Sequence, residues 1–106
     1  MFFEYNDHDV CQNPIIETIF ENKKFKVRIK YSEHNGFWFI GWYYIKDGGN
    51  EGGGCSPAFS DRDKYKSKDE ARSAALNLML STFRIEKYPE IHNVIKSKFE
   101  QQGSLF

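Results

Sequence analysis

The sequence predicts an α+β domain, an antiparallel β-meander of three to four strands followed by two C-terminal helices packed on one face. Three observations predict it. Apolar and charged residues alternate strictly from Lys24 to Ser32, the period of a half-buried strand. Asn35-Gly36 follows, a dipeptide that supplies the positive φ angles of a tight hairpin turn. Further on the period lengthens to that of helices, opened by the capping box Ser67-Lys68-Asp69-Glu70 and punctuated by Pro89.

Taken in order, residues 1–14 are polar and acidic with no sustained period, and read as a flexible N-terminal arm ending at Pro14. Ile15-Ile16-Glu17-Thr18-Ile19-Phe20 is short and β-branched, which favours a strand with Glu21-Asn22-Lys23 as its turn, although Asn13 as cap and Pro14 as first residue also suit a helical turn. In the next strand Phe25, Val27, Ile29 and Tyr31 fall on one side, and Lys24, Lys26, Arg28 and Lys30 on the other. Beyond the turn, Phe37-Trp38-Phe39-Ile40-Gly41-Trp42-Tyr43-Tyr44-Ile45 is apolar on both faces, the pattern of a strand covered on both sides or showing its second face to a partner. Residues 47–54 are so rich in glycine that they read as a mobile loop, with a short edge strand over residues 55–60. Ala71, Ala74, Ala75, Leu78, Met79 and Phe83 recur at helical spacing, predicting a helix to about Glu86. Ile91, Val94, Ile95 and Phe99 form the stripe of a second helix opened by Pro89 and stopped at Gly103, so residues 15–101 read as a single domain and residues 102–106 as a tail.

A chain of 106 residues with 40% hydrophobic and 17% aromatic content is long enough for one modest core and excludes a disordered polymer. Fifteen basic residues balance 15 acidic ones, so no net field steers the protein to nucleic acid or an anionic membrane, and any basic site is local. The start lacks a basic region followed by a long apolar run, and no stretch approaches membrane-spanning length, which predicts a cytoplasmic protein without membrane contact. Cys11 and Cys55 lie far apart with no Cys-x-x-Cys pattern, and read as reduced thiols.

The pairing of the two central strands decides what their second face carries. A two-residue turn at Asn35-Gly36 puts Lys26, Arg28 and Lys30 on one face with Phe39, Tyr43 and Ile45; an odd-length loop exchanges these for Trp38, Ile40, Trp42 and Tyr44. Either register sets cations among aromatics, so Lys26, Arg28, Lys30, Phe39, Trp42 and Tyr43 are candidate contacts for single-stranded nucleic acid, rings on bases and cations on phosphates. The same composition suits an ordinary solvated sheet or a homodimer interface. Other chemistries have thinner support. The glycines at residues 52–54 do not lead into a helix with a Lys-Ser or Lys-Thr pair, as a phosphate loop requires. Nothing in the sequence brings Cys55 to His34 as nucleophile and base, and the His8-x-x-Cys11 spacing has no second pair to complete a zinc site. No catalytic residue, metal or cofactor is therefore assigned.

At the end of the chain, Gln102-Gly103-Ser104-Leu105-Phe106 resembles the pentapeptide by which bacterial polymerases, repair enzymes and many phage or plasmid proteins attach to the DNA sliding clamp. The resemblance covers only this tail. It implies that Gln102 hydrogen-bonds at a groove rim, that Ser104 is the small polar residue, and that Leu105 and Phe106 fill an apolar pocket. Gly103 departs from the family, which more often carries leucine there, and its backbone entropy predicts attachment in the micromolar class. The body, from the paired strands through Tyr65-Lys66-Ser67-Lys68-Asp69-Glu70-Ala71, resembles double-stranded-RNA-binding and HicB-like domains in fold. The former carry a lysine cluster at that helix start, where Asp69 and Glu70 stand here. The resulting expectation is a non-enzymatic accessory protein of bacterial or mobile-element DNA metabolism, tethered to the clamp. The alternative is a small dimeric protein-binding or inhibitory factor of a phage or plasmid, with no clamp or nucleic-acid contact.

Overall fold

The computed structural model describes residues 3–46, 49, 51–60 and 63–103, with backbone alone for residues 102 and 103. Four strands, β1 (Ile15–Glu21), β2 (Phe25–His34), β3 (Phe37–Lys46) and β4 (Glu51–Cys55), precede two helices, α1 (Lys68–Thr82) and α2 (Pro89–Gly103). The strands form one antiparallel sheet in the order β1-β2-β3-β4, and both helices pack on one of its faces. This is the α+β arrangement that the alternation and the capping box predict.

Local chemistry accounts for the joints. Asn22 accepts hydrogen bonds at Oδ1 from the amides of Lys24 and Phe25, closing the β1–β2 turn. At the β2–β3 turn Asn35 and Gly36 have φ of 53° and 82°, and His34 pairs with Phe37, so the loop has two residues. Val27, Ile29 and Tyr31 of β2 thereby face the helices alongside Trp38, Ile40, Trp42 and Tyr44 of β3. In β1 the pairing shifts between Thr18 and Phe20, and this bulge lets the adjacent residues Ile19 and Phe20 both be buried.

Ser67 caps α1 by accepting from the Glu70 amide at 3.1 Å, and the Glu70 carboxylate reaches back to the Lys66 amide at 3.1 Å. Ala71, Ala75, Leu76 and Met79 face the core. The helix ends at Thr82 and not at Glu86, because Phe83 turns out of helical geometry, at φ −103° and ψ 78°, to bury its ring. His92 of α2 completes that end: the Phe83 carbonyl can only accept, so His92 Nδ1 carries the proton and donates to it at 2.8 Å. In α2, Ile91 and Ile95 are buried and Val94 and Phe99 pack beside them, the predicted stripe.

Two expectations from composition are corrected. The glycine run is not an irregular loop followed by a strand over residues 55–60; the strand is Glu51–Cys55 itself. Glycine suits it because the backbone runs so close to β3 that a Cβ on Gly54, at φ 155°, would stand 2.2 Å from the Trp42 carbonyl oxygen. The polar arm is docked, not loose. Bridges join Tyr5 to Cys11 and Val10 to Ala58, the Cys11 amide donates to the Pro57 carbonyl at 2.8 Å, and Tyr5 hydroxyl donates to the Glu33 carbonyl at 2.9 Å. Its sequence shows no period because it is held by scattered turns and bridges.

Two tests follow from this packing. Leu76 is fully buried while Leu78 is 41% exposed, so Leu76→Ala costs about 2–5 kcal/mol and Leu78→Ala no more than roughly 1 kcal/mol in urea unfolding. Equal losses would mean that α1 is rotated. Cys11 is 1% exposed beneath the docked segments and Cys55 is exposed, so an aromatic disulfide reagent titrates one thiol in the native protein and the second only in denaturant. Two thiols reacting alike in native buffer would mean that the arm detaches.

Candidate functional site

The face of the sheet away from the helices carries the candidate nucleic-acid contacts, and the two-residue turn selects which of them share it. Lys26 lies opposite Ile45, Arg28 opposite Tyr43, Lys30 opposite Gly41, and Ser32 opposite Phe39. This outer face has two halves. Near the hairpin turn it is closed: Ser32 is fully buried and Phe39 is 3% exposed. The cover comes from the arm, whose Tyr5 hydroxyl lies 2.9 Å from Ser32 Oγ, and from residues 55–57, which cross Gly41 so closely that a Cβ there would stand 2.5 Å from the Cys55 carbonyl oxygen. His34 stacks on Phe59 at 4.0 Å between centroids and 12° between planes, with Tyr5 edge-on to both.

The other half is open. Arg28 donates from Nε to Thr18 Oγ1 at 3.2 Å and from Nη1 to the Tyr43 hydroxyl, and its guanidinium carbon sits 5.4 Å from the Tyr43 ring centre. Lys30 Nζ lies 5.1 Å from the same ring centre and 3.4 Å from Ser56 Oγ. Lys26 is paired with Glu21 at 3.3 Å. A shallow depression of about 600 Å3 adjoins them, lined by Lys30, Tyr43, Ser56 and the glycines of β4. Of the six candidates, Lys26, Arg28, Lys30 and Tyr43 are therefore brought together. Phe39 shares their face but is covered. Trp42 lies on the opposite face, stacked on Tyr44 at 6.1 Å and 6° and packed against the core, so it is no part of this surface. Thr18 and Ser56, which position Arg28 and Lys30, carry no periodic signal; Ser56 stands 26 residues from Lys30.

A second polar constellation sits between sheet and helices. Arg72 of α1 grips Glu17 of β1 with two hydrogen bonds, Nε to Oε1 and Nη2 to Oε2, both 2.8 Å, and Tyr31 hydroxyl donates to Oε1 at 2.9 Å. These bonds hold the Glu17 carboxyl below its ordinary value, chiefly through Arg72, while burial and then the bond to Glu17 push Tyr31 up. Every acceptor oxygen is engaged, so the arrangement pins β1 to α1; it offers no free base.

The remaining sequence candidates stay apart. Cys55 pairs with Trp42 and His34 with Phe37, positions five residues apart along β3, or about 17 Å at 3.4 Å per residue. Among the described residues no group of three or more His, Cys, Asp or Glu is placed to hold a metal ion. No helix among them is long and apolar enough to cross a membrane. Gln102 lies on the last described turn of α2, and Ser104, Leu105 and Phe106 fall outside the described residues.

The Glu17 pin makes stability depend on pH in opposite senses at the two extremes. Glu17's folded value lies below its ordinary 4.5, so its contribution is complete at neutral pH and is lost as pH falls below about 4.5. Tyr31's folded value lies above its ordinary 10.0, so its contribution is complete below pH 10.0 and is lost as pH rises beyond it. In urea midpoints measured across pH, Glu17→Gln flattens the acid limb and Tyr31→Phe the alkaline limb; unchanged limbs would remove the pin. No family model matches this chain, and neither a curated protein nor a solved structure matches it.

Proposed function

We propose that the chain is a non-enzymatic accessory protein of bacterial or mobile-element DNA metabolism, attached to the replication sliding clamp through residues 102–106 and contacting single-stranded nucleic acid with its open sheet face. The observation that carries the reading is the hairpin register, which sets Lys26, Arg28 and Lys30 at every second position of β2 on one face beside Tyr43. Cations about 7 Å apart along a strand suit a flexible phosphate backbone. With Arg28 and Lys30 already over its ring, Tyr43 serves more to orient the cations than to stack on a base. The tail rests on its residue spacing alone: Gln102 for the rim, Leu105 and Phe106 for the pocket.

One observation favours a second reading. Burial of Phe39 and the inward turn of Trp42 leave Tyr43 as the one ring beside Arg28 and Lys30 among the described residues, which suits a protein surface better than a row of bases. In that reading the chain is a small dimeric or inhibitory factor of a phage or plasmid.

Two titrations of the full chain separate these readings. Against a bacterial sliding clamp, binding is micromolar and is lost in the Leu105→Ala/Phe106→Ala variant with its melting temperature unchanged. Against a labelled single-stranded oligonucleotide, Arg28→Ala/Lys30→Ala weakens binding and lowers the log–log salt slope by about 0.7 per cation removed. Indifference to the clamp would remove the tether. No oligonucleotide binding, together with a concentration-dependent dimer mass, would favour the second reading.

A further inference from the structure

At the end of the molecule opposite the Asn35-Gly36 turn, the β1–β2 turn meets the connection between α1 and α2 around a notch of about 260 Å3. Its floor is apolar and firm. Phe20 and Ile91 are 8% and 4% exposed, and Phe25 and Tyr88 pack edge to face at 5.8 Å and 82°. Tyr88 is itself braced edge-on against the buried Phe83 at 5.4 Å and 78°. The rim is polar and exposed, with Lys24 on the sheet side and Lys87 and Glu90 on the helix side. Lys87 Nζ is held 5.5 Å from the Tyr88 ring centre, over the wall of the notch.

The charges of this end are distributed unevenly. Lys26 and Lys46 are neutralised by Glu21 and Glu51, whereas among the described residues neither Lys24 nor Lys87 takes part in an ion pair. An apolar hollow the size of one large side chain, with two ammonium groups against the single Glu90 carboxylate on its rim, keeps a net positive edge and complements a hydrophobic anchor flanked by carboxylates that lie on the Lys24 and Lys87 sides.

We propose that this notch docks an acidic segment of a partner protein, which inserts one large apolar side chain onto Phe20, Phe25, Tyr88 and Ile91 and sets its carboxylates against Lys24 and Lys87. Nucleic acid would also meet the lysines, but the walls do not suit it. Phe25 and Tyr88 stand nearly perpendicular, so no parallel slot is available to hold a planar base between rings. The site is independent of the clamp tail and uses neither Arg28 nor Lys30.

The test is fluorescence anisotropy with the full chain and a fluorescein-labelled peptide, Glu-Asp-Leu-Phe-Glu-Asp, at low and moderate salt. Saturable binding on the order of 10 to 100 μM is expected, weakening with salt. Lys24→Glu/Lys87→Glu weakens it at least about tenfold, as charge reversal at both rim positions requires. Lys96→Glu, an exposed change elsewhere on α2, leaves it unchanged. A peptide with serines in place of Leu-Phe does not bind. Equal binding of the two peptides would reduce the site to bulk charge attraction and overturn the proposal. So would the absence of saturation, or a single-stranded oligonucleotide that needs Lys24 and Lys87 when the peptide does not bind. Self-association of the chain abolished by the same charge reversal, without peptide binding, would assign the notch to a second copy and overturn it as well.

Discussion

Everything in this molecule follows from the register of one hairpin. Because successive side chains of a strand point to opposite faces, a slip of one residue between β2 and β3 would carry Val27, Ile29 and Tyr31 into water and the lysines into the core. The turn of Asn35 and Gly36, both at positive φ, prevents that slip by matching the twist of the strands with a two-residue loop. Once the register is set, β2 offers Val27 and Ile29, each fully buried, to the helices. Burying each such side chain contributes about 1.5–3 kcal/mol, enough that no single surface interaction competes with it.

The same constraint creates a problem on the other side of the sheet. It leaves Phe37, Phe39, Tyr43 and Ile45 on the face that the helices do not cover. The chain resolves about half of it with a thin third layer, in which the arm and residues 56–59 close over Ser32 and Phe39. That layer is held by backbone bridges and ring contacts, with little apolar mass of its own. What stays open is the half where β2 contributes cations, so the exposed surface is basic although the chain as a whole carries no net charge.

Between sheet and helices, the Glu17–Arg72 pair shows how a charge is tolerated at a partly buried position. Its bidentate geometry and the third bond from Tyr31 satisfy the carboxylate, which offsets the cost of drying it. The pair also supplies specificity, since Glu17 occupies a core-facing place on β1, opposite Ile29, and only an α1 phase that presents Arg72 accommodates it. A helix turned by one position would take the guanidinium away and leave the carboxylate only the Tyr31 bond.

Periodicity, turn chemistry and caps are local properties, and the sequence alone determined what depends on them: the alternation of β2, the hairpin at Asn35-Gly36, the start of α1 at Ser67, the stripe of α2 and the α+β order of the elements. It also put Lys26, Arg28 and Lys30 on one face of β2, because alternation assigns faces before any tertiary contact forms, but β3 is apolar on both faces and left open whether Tyr43 or Trp42 joins them. Only the tertiary structure decided that glycines at residues 52–54 pair as an edge strand, since the reason is the close approach of β3 and not any preference of glycine. Only it placed Leu76 inside and Leu78 outside on α1, turned Trp42 inward, covered Phe39 and docked the arm. Each of these rests on contacts between residues distant in sequence, where burial of apolar surface outweighs local propensity, and no local pattern records which distant segment will arrive.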